Sequence, residues 1–186
     1  MTTRDFDFSI LVSILNRILK DKEFKKKLHF IVDRQINDWE KWLQIELALF
    51  LTSKKYNVIR EVTAYLDPEI YPNSKLSKID MIIQKPKYEF DDYLFIELKC
   101  TKSHTALKRG LRNDWKKLNS IVKCDYKMKN SFLIGFHLFC KDDAINEMNS
   151  YVTEKLHGSY AVFKICQCRA NTKCNCRNNQ IGVVLC

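Results

Sequence analysis

The chain has 186 residues, of which 46% are hydrophobic, and it carries a formal net charge of +10. This length favours one domain with a substantial core, and only four glycines and three prolines are present, which leaves no flexible linker to divide it. The longest apolar runs are too short to span a membrane, and the first residues lack the features of a signal peptide. We therefore expect a soluble, cytoplasmic protein.

Hydrophobic periodicity predicts an alternation of helices and strands. Apolar residues three or four apart predict helices, whereas short β-branched or apolar runs predict strands. In chain order the pattern predicts helices 6–19 and 33–54, strands 57–66, 78–84 and 92–100, helix 105–122, strand 131–140, helix 142–156, and strands 160–166 and 181–185. Three strands in succession, then a helix that crosses to a fourth, predict an α/β fold with a mixed central sheet flanked by helices.

Two acidic residues and a lysine interrupt apolar strands in the middle of this predicted sheet. Asp80 lies inside the run 78–84, and Glu97 and Lys99 lie in the run 92–100. Side chains two residues apart on a strand share a face, so Glu97 and Lys99 point the same way, and Asp80 meets Glu97 if the strands form a hairpin. Charges in an apolar strand pair are costly unless something binds there. Carboxylates beside an ammonium suit Mg²⁺-assisted hydrolysis of a phosphodiester.

A triplet of Asp or Glu, any residue and Lys is alone a weak indicator, because a chain of this size contains about one such triplet by chance. This chain has four, and only Glu97–Lys99 interrupts an apolar strand. The alternative explanation is an ion pair that faces solvent on an edge strand. The strand context favours the site, where the main-chain carbonyl of Leu98 would also be available as a metal ligand.

The order helix, strand, Asp80, sixteen residues, Glu97-x-Lys99 and helix resembles the PD-(D/E)XK, or restriction-endonuclease-like, nuclease superfamily over residues 33–140. The resemblance implies a four-stranded mixed sheet between helices and hydrolysis of DNA, less often RNA, with Mg²⁺ or Mn²⁺. It also implies that Asp80 and Glu97 bind the metal and that Lys99 positions the attacking water. One departure is that Ile79 stands where the family name has proline.

An acid on the helix before the sheet is a further feature of many members, and Glu46 matches it. Glu46 lies four residues after Trp42 and seven after Trp39, so its carboxylate falls on an otherwise apolar helix face. We therefore expect Glu46 to complete the acid cluster.

Nearly all of the excess positive charge lies directly after this cluster. Residues 98–130 contain ten basic and two acidic side chains, whereas residues 1–97 are neutral. A concentrated basic face indicates a polyanion partner, nucleic acid first, although a solvated helix face has the same pattern. The residues expected to contact phosphates are Lys102, Ser103, His104, Lys108, Arg109, Arg112 and Lys116. On the same helix, Trp115 and Leu118 are expected to face the sheet.

Five of the eight cysteines lie in the last 21 residues. Cys166, Cys168, Cys174 and Cys176 form two C-x-C pairs on a predicted hairpin, and four thiolates can hold a tetrahedral Zn²⁺. Alternate residues on a flat strand stand about 6–7 Å apart, so a bend would be needed. Reduced thiols, or a disulfide formed on oxidation, are the alternatives, and in each case the element is expected to be structural.

The sequence thus predicts one nuclease domain over 1–186, made of a helical extension (1–32), the core (33–140) and a Cys-rich hairpin (160–186). Two other classes stay open. One is a nuclease-fold binding module whose acids assemble no working metal site, and the other is a zinc-stabilised RNA-binding protein. Cleavage that depends on a divalent ion would distinguish a nuclease from both of these classes. A homodimer is compatible with a nuclease that cuts two strands.

Overall fold

The computed structural model describes residues 2–34, 36, 38–86, 92–138, 140–166, 168 and 180–186. Within these ranges the helices are α1 (Thr3–Lys20), α2 (Lys22–Asp33), α3 (Trp39–Ser53), α4 (His104–Asn119) and α5 (Asp142–Leu156). The strands are β1 (Asn57–Leu66), β2 (Leu76–Gln84), β3 (Asp92–Thr101), β4 (Ile121–Cys124), β5 (Lys127–His137), β6 (Ser159–Lys164) and β7 (Gln180–Leu185). None of these helices is both long and apolar enough to cross a membrane.

The strands of the described ranges form one mixed sheet in the order β4-β1-β2-β3-β5-β7-β6. β1, β2 and β3 form an antiparallel meander, and α4 then carries the chain across to β5, which runs parallel to β3. β7 pairs antiparallel with both β5 and β6. The predicted α/β fold with a mixed sheet flanked by helices is confirmed, and the sheet is wider than the four strands that the resemblance implied.

Apolar side chains pack on both faces of the sheet, and β3 shows the alternation. Ile96 and Leu98 join the core formed with α1, α2 and α3, whereas Phe95 packs with Leu107 and Leu111 of α4 on the opposite face. Burial on both faces explains why this strand is apolar throughout. A polar side chain on β3 must therefore find its partners among the flanking helices.

Two elements differ from the sequence prediction. α2 is absent from the prediction, although Asp21 caps it by accepting a hydrogen bond from the Phe24 amide at 2.8 Å, and Phe24 and Leu28 are buried. β4 replaces the end of the helix predicted over 105–122, because α4 ends at Asn119 and the next residues pair with β1. In both places tertiary packing decided the structure where the local pattern was ambiguous.

The predicted cysteine hairpin is only partly within the described residues. β6 and β7 pair antiparallel along their length. Between them, Cys166 is buried and Cys168 is partly exposed, whereas Cys174 and Cys176 lie outside the described residues. The zinc site therefore stays a prediction.

Candidate active site

Asp80 lies where β2 and β3 separate. The pairing of the two strands ends at Met81 and Ile96. One residue further on, Asp80 Oδ2 accepts a hydrogen bond from the Leu98 amide at 2.7 Å, and Oδ1 accepts one from Gln44 Nε2 at 2.6 Å. A carboxylate held at both oxygens has a fixed orientation. The contact that Leu98 makes here comes from its amide, so its carbonyl as a metal ligand stays a prediction.

Glu97 is a buried carboxylate beside Asp80, with a side chain only 2% exposed. Its Oε2 lies 2.5 Å from Lys117 Nζ, while its Oε1 has no hydrogen-bond partner among the described residues. Burial raises the pKa of Glu97 to about 9, Lys117 offsets part of this effect, and the charges of Asp80 and Asp114 add to it. A raised carboxyl pKa means that the charged form is poorly compensated, so a further cation nearby would favour it.

Lys99 is held between two acids from different helices. Its Nζ lies 3.4 Å from Glu40 Oε2 on α3 and 3.7 Å from Asp114 Oδ2 on α4. The same Glu40 oxygen accepts a hydrogen bond from the Cys100 amide at 2.8 Å. Burial lowers the pKa of Lys99, but the charges of Asp114, Glu40 and Asp80 raise it above its ordinary value. The amine is therefore an ammonium with a defined position.

The spacing of α3 explains why Glu40 and Gln44 reach this site. A buried stripe at four-residue intervals packs the helix against the sheet: Trp39, Leu43, Leu47 and Leu51. Glu40 and Gln44 are also four residues apart and flank that stripe on one side, so both point at the ends of β2 and β3. Gln44 is fully buried and also accepts a hydrogen bond from Arg60 Nη2 at 3.3 Å.

The backbone of β1 is distorted next to this cluster. Glu61 lies within β1 with φ at 55°, a left-handed conformation that costs a non-glycine residue about 1 kcal/mol or more. The β1–β2 register resumes on either side of it, so Glu61 falls opposite Asp80. Its carboxylate pairs with Lys41 of α3. Backbone strain of this kind is concentrated at functional sites.

Glu46 does not belong to the cluster, which corrects the sequence prediction. Its Oε1 lies 2.8 Å from Lys27 Nζ, so it joins α3 to α2 and not to the sheet. Glu40 is the α3 acid that reaches β3. The choice of Glu46 assumed that its helix face packs on the strands, but that face is turned toward α2.

The basic residues expected at a nucleic-acid interface fall into three groups. Lys102, Arg109, Arg112 and Lys116 are exposed. Lys108 and His104 both contact the carboxylate of Glu147 on α5. Ser103 is the N-cap of α4, where its hydroxyl accepts a hydrogen bond from the Ala106 amide at 3.2 Å. These side chains therefore do not form one continuous wall.

Four residues of this region carry contacts that the sequence did not predict: Glu40, Gln44, Asp114 and Lys117. The prediction for Trp115 is wrong, because its side chain is 57% exposed, whereas Leu118 is 3% exposed and faces the core as expected. The helical spacing of Asp114 and Lys117, three residues apart on α4, could have placed both on the flank that meets β3.

The acids offer oxygen ligands to a metal ion, although their present arrangement is held by lysines. Among the described residues, no three His, Cys, Asp or Glu side chains converge as a formed metal-binding group. Two buried carboxylate oxygens, Glu97 Oε1 and Asp114 Oδ2, nevertheless lack a hydrogen-bond partner there. Hard oxygen donors without a hydrogen-bond partner are ligands that Mg²⁺ or Mn²⁺ prefers.

Comparison with protein-family models, curated proteins and solved structures finds no match to this chain. Neither a family nor a function follows from similarity. Function must be inferred from the geometry of the residues around Asp80, Glu97 and Lys99.

Proposed function

We propose that this protein is a metal-dependent nuclease with a restriction-endonuclease-like core, acting on DNA through Asp80, Glu97 and Lys99. The observation that carries the proposal is their convergence with Glu40 and Asp114 near the middle of the sheet, where the pairing of β2 and β3 ends. A buried cluster of like charges costs several kcal/mol per ion unless it is compensated. Such clusters are typical of catalytic sites.

The donor set fits Mg²⁺ or Mn²⁺, which Asp80 and Glu97 would hold. The support is the unpartnered Glu97 Oε1 and the high pKa of that carboxyl, because both favour an added cation. When bound, the metal supplies Lewis-acid stabilisation of the phosphate and lowers the pKa of a bound water.

The protein's own groups would orient the reaction. The Lys99 ammonium, positioned by Glu40 and Asp114, donates hydrogen bonds to the attacking water or to a phosphate oxygen that gains negative charge. Gln44 fixes the rotation of the Asp80 carboxylate. Lys117 is the cation that contacts Glu97 among the described residues, and a divalent cation would compete with it for that carboxylate.

The partner class follows from charge. Of the ten basic residues of 98–130, Lys99 and Lys117 lie in the acid cluster, and Arg109 and Lys116 are exposed on α4. An anionic backbone would gain affinity at such cations by releasing its counterions. DNA is the substrate proposed, with RNA as the alternative.

A second candidate is a nuclease-fold binding module without catalysis. One observation favours it: Lys117 already occupies Glu97 Oε2, and both Asp80 oxygens accept hydrogen bonds. In such a module the ion pairs replace the metal, and the basic surface alone would retain nucleic acid.

Cleavage assays separate the two. Supercoiled plasmid, linear duplex, single-stranded DNA and RNA would each be incubated with the protein in Mg²⁺, Mn²⁺ or EDTA. The nuclease requires cleavage with a divalent ion that is lost in Asp80→Ala and retained in Glu46→Ala, the matched acid outside the cluster. Binding without cleavage under every condition would support the module, and cleavage by Asp80→Ala equal to the parent's would reject the site.

A further inference from the structure

A cleft lies between α4 and α5, away from the acid cluster. Its volume is about 690 Å³, which is within the usual range of small-molecule sites. Three cationic side chains line it, from Arg4, Arg112 and Lys155, together with the rings of Trp115, Tyr151 and His157. No acidic residue lines the part of it that the structure describes.

The cations of this cleft are available to a ligand. Among the described residues, neither Arg112 nor Lys155 forms an ion pair. Arg4 is held at the wall, because its Nη1 donates to the Ser131 carbonyl at 3.0 Å and its guanidinium lies 4.8 Å from the centre of the Phe132 ring. A fixed guanidinium binds phosphate at little further cost in conformational entropy.

Trp115 presents its indole to solvent at the mouth of the cleft, 57% exposed. A single exposed aromatic side chain is ordinary on a protein surface. Three cationic side chains around such a ring, with no acidic residue among the described lining residues, are unusual. The ring offers a stacking surface, and the cations can bind phosphates. Grooves that bind single-stranded nucleic acid have the same two components.

The position on α4 relates the cleft to the acid cluster. Residues on a helix are turned by about 100° from one to the next. Asp114 and Lys117 therefore share the flank that meets β3, whereas Arg112 and Trp115 share the opposite flank. A strand that reaches from one flank to the other crosses the outer ridge of α4, where Arg109 and Lys116 are both exposed.

We infer that the cleft between α4 and α5 binds a nucleobase of a single-stranded nucleic acid, stacked on Trp115, with its phosphates on Arg112, Arg4 and Lys155. The inference rests on the proposed nuclease function, since it assigns a substrate class to that enzyme. The cationic ridge of α4 would carry the strand onward to Lys99. Duplex DNA cannot use this cleft, because its bases are already stacked on one another.

The test is a binding measurement in EDTA, so that cleavage does not enter. A labelled oligothymidylate of about twelve nucleotides, an oligouridylate of the same length and a matched duplex are titrated with parent protein and variants, and fluorescence anisotropy is read. Trp115→Ala should weaken binding of the single strands roughly 5- to 150-fold and leave duplex binding within about twofold. Trp115→Phe, which keeps an aromatic ring, should retain most of the affinity.

An exposed aromatic residue and a neighbouring arginine on another surface provide the control for the Trp115 and Arg112 variants. Phe30 is 58% exposed on α2, and the Arg34 guanidinium lies 5.9 Å from the centre of its ring. Phe30→Ala and Arg34→Ala should leave single-strand binding unchanged, whereas Arg112→Ala should weaken it. If Trp115→Ala behaves like Phe30→Ala, or weakens single-strand and duplex binding equally, the inference is overturned.

Failure of the nuclease proposal would look different. A parent protein that cleaves nothing with Mg²⁺ but loses single-strand affinity in Trp115→Ala would retain the cleft and reject the enzyme. A parent protein that cleaves, with Trp115→Ala unchanged in both binding and cleavage, would retain the enzyme and reject the cleft. Stronger binding of oligouridylate than of oligothymidylate would assign the cleft to RNA.

Discussion

The Nζ of Lys117 lies 2.5 Å from Glu97 Oε2, and this contact joins α4 to the centre of β3. Glu97 is nearly inaccessible, yet Lys117 is the one cation that contacts it within the described residues. The carboxyl is raised in pKa to about 9 despite that contact, because burial outweighs the ion pair. The protein therefore holds Glu97 in an unfavourable electrostatic environment.

Glu97→Gln should therefore stabilise the protein while abolishing its proposed activity. At neutral pH a carboxyl group with this pKa must either take up a proton on folding or keep a charge in the core, and an amide avoids both costs. The free energy of unfolding in EDTA should therefore rise by roughly 1–3 kcal/mol, and Mg²⁺-dependent cleavage should disappear. Urea denaturation and plasmid cleavage measure the two effects. Glu46→Gln, at the more exposed pair with Lys27, should change stability by no more than about 0.5 kcal/mol. A destabilised Glu97→Gln would mean that the ion pair with Lys117 stabilises the fold.

The strands and their acids were predictable because their environment is readable in sequence. A charged residue inside an apolar strand is rare, and Asp80, Glu97 and Lys99 stand out for that reason. The three-strand meander and the crossover to β5 followed from short apolar runs separated by turn residues and one helix.

The residues that α3 contributes to the acid cluster could not be predicted from the sequence, because this helix is apolar on more than one face. Leu43 and Leu47 are buried, but Ile45 and Leu49 are 43% and 63% exposed. Hydrophobicity alone could not identify the face that packs on the sheet, and Glu46 was therefore favoured over the acid that reaches β3. On α4, the prediction that Trp115 faces the sheet was wrong for a related reason, because large aromatic side chains are usually buried.

The exposed cations of α4 should dominate the salt dependence of nucleic-acid binding. Replacing Arg109, Arg112 and Lys116 by alanine should make the slope of log K against log salt shallower by about two units, since each lost phosphate contact removes about 0.7–0.9. Lys108→Ala should contribute less, because Glu147 already engages that amine. Binding titrations at several salt concentrations provide the slopes.

The control for charge alone is a second basic triplet, on the other side of the molecule. Lys20, Lys22 and Lys26 are exposed on α1 and α2. Their replacement by alanine lowers the net charge by the same amount and should leave the slope unchanged. Equal slopes for the two triple variants would move the binding surface away from α4.

A buried acid at the other end of the sheet should make the fold sensitive to low pH. Asp7 of α1 is fully buried and accepts hydrogen bonds from Lys85 and from Asn130 Nδ2, with Lys129 Nζ at 3.2 Å. Burial raises its pKa, but the bonds from Lys85, Asn130 and Lys129 outweigh this, and the pKa lies below its ordinary 3.8.

A depressed carboxyl pKa stabilises the fold above the unfolded value and loses that contribution as pH falls through the folded value. Asp7→Asn should therefore lower the free energy of unfolding by about 3 kcal/mol at pH 7, and the difference from the parent should shrink below about pH 4. Urea denaturation across pH 3–7 measures this. Glu23→Gln, an exposed acid of α2, should show no such convergence, and a constant difference for Asp7→Asn would contradict the assignment.

The C-terminal cysteines carry a prediction of metal content. If Cys166, Cys168, Cys174 and Cys176 hold zinc, the purified protein should contain about one zinc per chain, and chelation should lower its melting temperature. Elemental analysis and a thermal melt with and without chelator decide this. A metal-free protein with an unchanged melt would leave these residues as thiols.

Gly110→Ala should separate the stability of α4 from the position of the Lys99 ammonium, for which we propose a catalytic role. A Cβ at Gly110 would lie 2.7 Å from Lys99 Cγ and 2.8 Å from Cδ, so the lysine stem must move. Alanine in a helix is favoured over glycine by about 1 kcal/mol, which offsets the crowding, and the melting temperature should change little. Displacement of Nζ from Glu40 and Asp114 should lower the cleavage rate by about tenfold or more, since small misplacements of a positioning group are costly.

Asn113→Ala, on the exposed face of the same helix, gains helix propensity without touching Lys99 and should cleave like the parent. Cleavage by Gly110→Ala at the parent rate would show that the position of the Lys99 ammonium does not matter for the reaction.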